Sequence, residues 1–194
     1  MEGNTKFDEA LSTRLSIMKP SRESILKCLD EHPLQFSPGI ERLIDILSER
    51  GTSVYLVSGG FRIMIEPLAR KLCVGRDHIY ANTILFHEAG DNEDGKVEGE
   101  YAGFDSSELT SRDMGKPAAL SKIKESGGYD TVVMVGDGAT DMQARPPADA
   151  FVGYGGVAVR DAVRDGACWF VTDFKDVIEV LERFGTRKKD MGGR

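Results

Sequence analysis

Three short stretches of this chain carry side chains suited to holding a phosphate and a divalent cation. Ser58-Gly59-Gly60 offers a hydroxyl followed by backbone N–H groups without side-chain cover, ahead of a helical pattern. Exposed amides and the helix dipole both favour an anion at such a place. The same residues also suit an ordinary strand-to-helix turn, in which Ser caps and Gly supplies a positive φ. Gly136-Asp137-Gly138-Ala139-Thr140-Asp141 sets two carboxylates four residues apart after a strongly apolar run. Hard oxygen donors there suit Mg2+ (magnesium), which takes one or two carboxylates and keeps several waters. The plainer reading is two acidic residues stabilising a helix start. Lys116 follows Gly115 at the beginning of another helical stretch, where an ammonium opposes the dipole, although a surface lysine is the commonest reason for any single lysine. Only as an ordered set of hydroxyl, cation and carboxylate do Ser58, Lys116 and Asp137 become specific.

The elements that must position them follow from periodicity. Phe7, Leu11, Leu15 and Met18 recur at helical spacing and predict an amphipathic helix with one buried face, ended by Pro20. Ser21 caps a second helix that the His32-Pro33 step closes. Ser37 as cap, Pro38 at the first position and Gly51 as terminator bound a third, with Ile40, Leu43, Ile44 and Leu47 on one side. Ser53–Val57 reads as a strand that stops at Ser58, with a helix over 61–72. His78–Phe86 and Val97–Phe104 predict a peripheral hairpin around an acidic loop. A helix from Lys116 leads to a strand over 131–135, and strands at 150–152 and 169–171 precede a last helix holding Phe174, Val177, Ile178 and Leu181. This alternation predicts an α/β fold, a doubly wound, mostly parallel sheet with helices on both faces. In such sheets ligands bind beyond the carboxyl ends of the strands, where all three stretches fall.

Composition bounds the rest. At 194 residues and 40% hydrophobic content, one domain with a sizeable core is expected. A net charge of −7 argues against nucleic-acid and membrane surfaces, which call for accumulated positive charge. Cys28, Cys73 and Cys168 are odd in number and widely spaced, which suits a reducing compartment and a cytoplasmic location.

The motifs VYLVSGGF, GEYAGFD, MVGDGATDM, PPADAFVGYGG and the early PSRE segment, in this order, resemble the haloacid dehalogenase (HAD) superfamily, and within it the phosphoserine phosphatases, over nearly the whole chain. The resemblance implies a doubly wound core with a helical cap, with residues 1–33 a remnant of the cap, 34–183 the core with a hairpin near 83–104, and 184–194 a flexible tail. It implies Mg2+-dependent hydrolysis of O-phospho-L-serine, the last step of L-serine biosynthesis. Ser58, Gly59 and Gly60 would hold the substrate phosphate, and Lys116 would neutralise it. Asp137 would bind the metal with Asp141 behind it, and Thr140 and Arg160 would lie in the substrate pocket. Met1 would lie near the substrate, and Arg14 would pair with its carboxylate, a match of planar fork to carboxylate that suits a guanidinium. An exposed Arg on an amphipathic helix is the bland alternative. The expected partner is thus a small molecule, and a homodimer is the assembly allowed for.

One departure stands beside that match. The superfamily opens with DxDx[TV], whose first Asp attacks phosphorus and whose second is general acid and base. No DxDx[TV] occurs in these residues, and Asp137 with Asp141 or Asp91 with Asp94 have other spacings. The expectation is a truncated or alternatively started chain, inactive as it stands, that lacks the central strand of its sheet; the alternative is a catalytically inactive protein that binds or regulates. Unpaired buried backbone groups cost about 1 to 3 kcal/mol each, so low stability in isolation is also expected. An organelle remains open should a targeting segment precede Met1. A receiver domain fits the architecture but neither GDGATD nor the cap helices.

Overall fold

The computed structural model describes residues 7–88 and 97–184. Met1, the acidic loop tip and all of the expected tail except Phe184 lie outside the described residues. The chain divides into two compact units, Met1–Gln35 with Tyr55–Ala119 and Phe36–Val54 with Leu120–Arg194, so each takes two separate segments. Both are α/β, with parallel strand pairs and helices.

In the first unit, α1 (Phe7–Met18) buries Leu11 and Leu15 against Ile84, with Ile25, Phe61, Phe86, Tyr101 and Phe104 around them. Met18 does not join this face: it is 61% exposed at the helix end, and the next residue, Lys19, turns left-handed at φ 40. Ser21 caps α2 (Arg22–Glu31) by accepting the Ser24 N–H at 3.1 Å. Strand β1 (Leu56–Phe61) pairs in parallel with β2 (Ile79–Asn82), and α4 (Arg62–Lys71) follows β1 directly. The stretch expected as one hairpin arm splits at Thr83. Its first half becomes β2, and β3 (Ile84–Phe86) pairs antiparallel with β4 (Tyr101–Phe104). That hairpin forms the apolar floor under α1. Arg22 secures α2 to it, its backbone N–H donating to the Gly99 carbonyl at 2.8 Å and its guanidinium lying over Phe86.

In the second unit, α3 (Ile40–Glu49) begins two residues later than Ser37 and Pro38 predict. Gly39 is its N-cap at φ 84, a left-handed turn that a side chain adopts only under strain. Strands β5 (Val133–Gly136), β6 (Ala150–Tyr154) and β7 (Trp169–Val171) form a parallel sheet in the order β5-β6-β7. Helix α5 (Gly115–Gly127), whose residues up to Ala119 belong to the first unit, precedes β5, and the short α6 (Ala139–Met142) follows it. A helix absent from the sequence reading, α7 (Asp161–Gly166), joins β6 to β7. Leu43 of α3, Tyr154, Val171 and Phe174 of α8 (Phe174–Phe184) make the core, with the Tyr154 and Phe174 rings stacked at 4.2 Å. The single sheet expected from the alternation is instead divided. Among the described residues β1 pairs only with β2, and β5 only with β6. Asp149 closes the amino-terminal end of the three-stranded sheet. It accepts both Lys124 Nζ, at 2.7 and 2.9 Å, and the Val132 N–H at 2.8 Å.

Candidate active-site residues

Ser58, Gly59 and Gly60 were expected to follow a strand as a turn; they lie within one. The register of β1 on β2 shifts here, with Val57 opposite Tyr80 and Phe61 opposite Asn82, so four steps on β1 match two on β2. The extra residues bulge from the ladder, which is where glycine without a side chain fits. Ser58 Oγ accepts the Gly60 N–H at 3.0 Å inside the bulge. The Gly59 carbonyl accepts Nδ2 of Asn82 at 2.8 Å, and Asn82 is fully buried.

Lys116 is the second residue of α5, as its position after Gly115 implied, and is half-buried. The helix start is pressed against the 3₁₀ turn Leu109–Ser111. A Cβ on Gly115 would lie 2.2 Å from the Leu109 carbonyl oxygen and 2.9 Å from the Thr110 Cα, so this close approach requires glycine. Ser58, Gly59, Gly60 and Lys116 all belong to the first unit.

Arg14 stands on the exposed side of α1, away from Leu11 and Leu15. A concavity of about 550 Å³ opens beside that helix, lined by Asp8, Glu9, Ser12, Thr13, Phe104, Ser106, Ser111 and Arg112. It contains none of the expected site residues. Of the acidic pair on its rim, Asp8 has a buried Oδ1 with no hydrogen-bond partner among the described residues. Between the lining residues Phe104 and Ser106 in the chain, Asp105 accepts both the hydroxyl and the amide of Ser107, which holds its carboxyl below the usual carboxylate range.

In the second unit, Asp137 follows β5 immediately, at the carboxyl end of the parallel sheet. Arg160, the residue before α7, pairs with it through Nη1, which donates to the Asp137 carboxylate and, at 2.6 Å, to its carbonyl oxygen. Both side chains are about half exposed, 51% and 47%. Sequence spacing carried no sign of this pair, 23 residues apart. Asp141 is buried at 5%, and its Oδ2 accepts the Gly138 N–H at 3.0 Å, tying down the start of α6. A Cβ on Gly136 would come within 2.2 Å of the Asp141 Cγ, so these two residues are fitted to each other. Thr140 is exposed on α6. Asn82, Thr110 and Gly115 were not singled out in the sequence. An asparagine ending a run of strand-forming residues was the available signal.

Among the described residues no three His, Cys, Asp or Glu side chains gather into a cation-binding group. Asp137 is one hard oxygen donor at a strand end. That fits magnesium, which needs only one or two protein carboxylates beside phosphate and water oxygens. It does not amount to a complete cage.

Residues 4–144 match the haloacid dehalogenase-like hydrolases, and the chain belongs to that family. Bovine (Bos taurus) phosphoserine phosphatase is 43% identical over 182 residues, spanning 94% of this chain and 77% of that protein. The chloroplastic phosphoserine phosphatase of Arabidopsis thaliana is 44% identical over 184 residues, spanning 94% of this chain and 59% of that one. A solved phospho-aspartyl intermediate analogue of phosphoserine phosphatase superposes with a TM-score of 0.70 at 27% identity, covering 93% of this chain and 80% of that one.

Proposed function

We propose that the chain is a phosphoserine phosphatase, which hydrolyses O-phospho-L-serine to L-serine and phosphate. The observation that carries the reading is the 43% identity to the bovine enzyme across 94% of this chain. It is supported by a hydroxyl-glycine bulge, a lysine at a helix start and a carboxylate at a strand end, at the positions where the resemblance implies them.

In this reading the Ser58 hydroxyl and the Gly59 and Gly60 amides hold phosphoryl oxygens. Lys116 offsets their charge; such preorganised donors are the main source of catalysis in phosphoryl transfer. The Gly60 N–H turns from Ser58 Oγ to the substrate when phosphate arrives. Asp137 would hold magnesium, whose chemistry is charge neutralisation, and Asp141 fixes the start of α6 behind it. Arg160 must then exchange its bond to Asp137 for the substrate, with Thr140 beside it. Arg14 pairs with the substrate carboxylate. The Asp that attacks phosphorus, releasing the serine oxygen, and the Asp that protonates that oxygen are not among these 194 residues. The three cysteines are free and exposed, which suits a reducing compartment, cytoplasm or plastid stroma alike. Assembly as a homodimer belongs to the same reading.

The test is phosphate release from phosphoserine by this chain and by a version preceded by a DxDx[TV] segment, with magnesium and with EDTA. Release by the extended form, lost on chelation and in Asp137→Asn, is the expected result. No release from either form would overturn the hydrolase reading and leave the binding or regulatory protein.

A further inference from the structure

We infer that Asn82 is a positioning residue that fixes the phosphate-holding bulge at Ser58–Gly60 against the start of α5, where Lys116 sits. The inference rests on the phosphate role proposed for Ser58, Gly59 and Lys116.

A fully buried asparagine must find partners for both ends of its amide or destabilise the fold. Asn82 finds them on two different elements. Because β1 advances four residues while β2 advances two, the Gly59 carbonyl falls out of the regular ladder. Asn82 Nδ2 supplies the missing donor at 2.8 Å. Its Oδ1 accepts the Thr110 hydroxyl at 2.7 Å, and Thr110 is only 3% exposed. Thr110 belongs to the 3₁₀ turn whose backbone touches Gly115, the residue before Lys116. One amide thus ties Gly59 to the turn on which α5 begins, through two short hydrogen bonds from a fully buried side chain. Leucine would fill the same space and make neither bond. Aspartate would accept from Thr110 but has no donor for Gly59. The pattern asks for a neutral group that donates on one side and accepts on the other, and that requirement is set by the bulge and the turn together.

The test is titration of the isotope-labelled chain with inorganic phosphate, read at the Gly59, Gly60 and Lys116 amides by NMR, at a temperature where every variant is folded. Asn82→Leu, neutral and of similar volume, is expected to weaken phosphate binding about tenfold. Thr110→Val is expected to weaken it about three- to fivefold and Thr110→Ser to stay within about twofold, because serine keeps the hydroxyl. In a Lys116→Ala background the effect of Asn82→Leu should fall below about twofold, since the placement it secures no longer has its cation. A purely structural asparagine would lower melting temperature and leave the affinity of the folded protein unchanged. Unchanged affinity in Asn82→Leu and Thr110→Val, with Ser58→Ala still abolishing binding, overturns this inference alone. So does an equal loss with and without Lys116. Absence of any phosphate-induced shift in the unmodified chain overturns both this inference and the phosphate role it rests on.

Discussion

Substituting alanine for Gly136 tests how closely the Asp137 loop is fitted to Asp141. The added Cβ would lie 2.2 Å from the Asp141 Cγ, 2.4 Å from its Cβ and 2.5 Å from its Oδ2, all far inside contact distance. Because the Asp141 Cβ is fixed to the backbone, rotation of the carboxylate cannot relieve the clash, and α6 must shift. Overpacking of this kind costs about 1 to 3 kcal/mol, and losing the bond from Gly138 N–H to Asp141 adds about 1, giving about 2 to 4 kcal/mol. With a urea m-value near 2 kcal/mol/M, that moves the unfolding midpoint down by about 1 to 2 M. Trp169, the sole tryptophan, lies in β7 of the same unit, so its fluorescence reports the relevant sheet. In an Asp141→Gly background the same substitution should cost less than about 1 kcal/mol, because the clashing Cβ has gone. A midpoint shift below about 0.3 M, or an equal cost in both backgrounds, would refute the packing argument.

Further outcomes follow from the other features. Leu15→Ala should cost about 2 to 5 kcal/mol, since Leu15 is fully buried, and Met18→Ala at the same helix should stay within about 0.5; equal midpoint shifts would contradict the burial of α1. The Asp149 carboxyl is held below its usual range first by its hydrogen bond from Lys124 and then by the Val132 N–H. Its contribution is therefore complete above the unfolded carboxylate value, about 4, and is lost as pH falls through the lower folded value. Asp149→Asn should be less stable at pH 7, and its gap from the unmodified chain should close below about pH 4; a gap independent of pH would sink that assignment. In the form carrying DxDx[TV], Arg14→Ala should depress turnover of phosphoserine far more than that of a phosphate ester without a carboxylate. Equal losses would remove Arg14 from carboxylate recognition.

Where local chemistry decides an element, the sequence was readable. Ser21 caps α2 because its hydroxyl reaches an amide three residues on, a purely local event. Ser37 looked like a cap for the same reason, yet Gly39 turns the chain left-handed and starts α3 afterwards. Ser58-Gly59-Gly60 has the composition of a turn, and only pairing with β2 across the chain makes it a bulge within a strand. Glycine, having no side chain, gives no sign of which it will be. Asp137 after an apolar strand was legible, as was Lys116 at a helix start. The Arg160 pairing with Asp137 and the bridging role of Asn82 were not, because each depends on contacts between residues distant in sequence. Met18 shows the complementary failure, a periodic apolar position left over when its helix ended.

The contact between α3 and α8 has a consequence for synthesis of the chain. Arg42 bonds Glu182 across 140 residues, and the apolar side of α3 around Leu43 is covered by Phe174 and its neighbours. At ribosomal rates of 5 to 20 residues per second, α3 emerges about 7 to 28 s before the segment that shields it. Throughout that interval a strongly amphipathic helix presents its greasy side to solvent. A nascent chain paused in this window is the species a holdase would be expected to capture, and a peptide of α8 supplied in trans should compete for that capture.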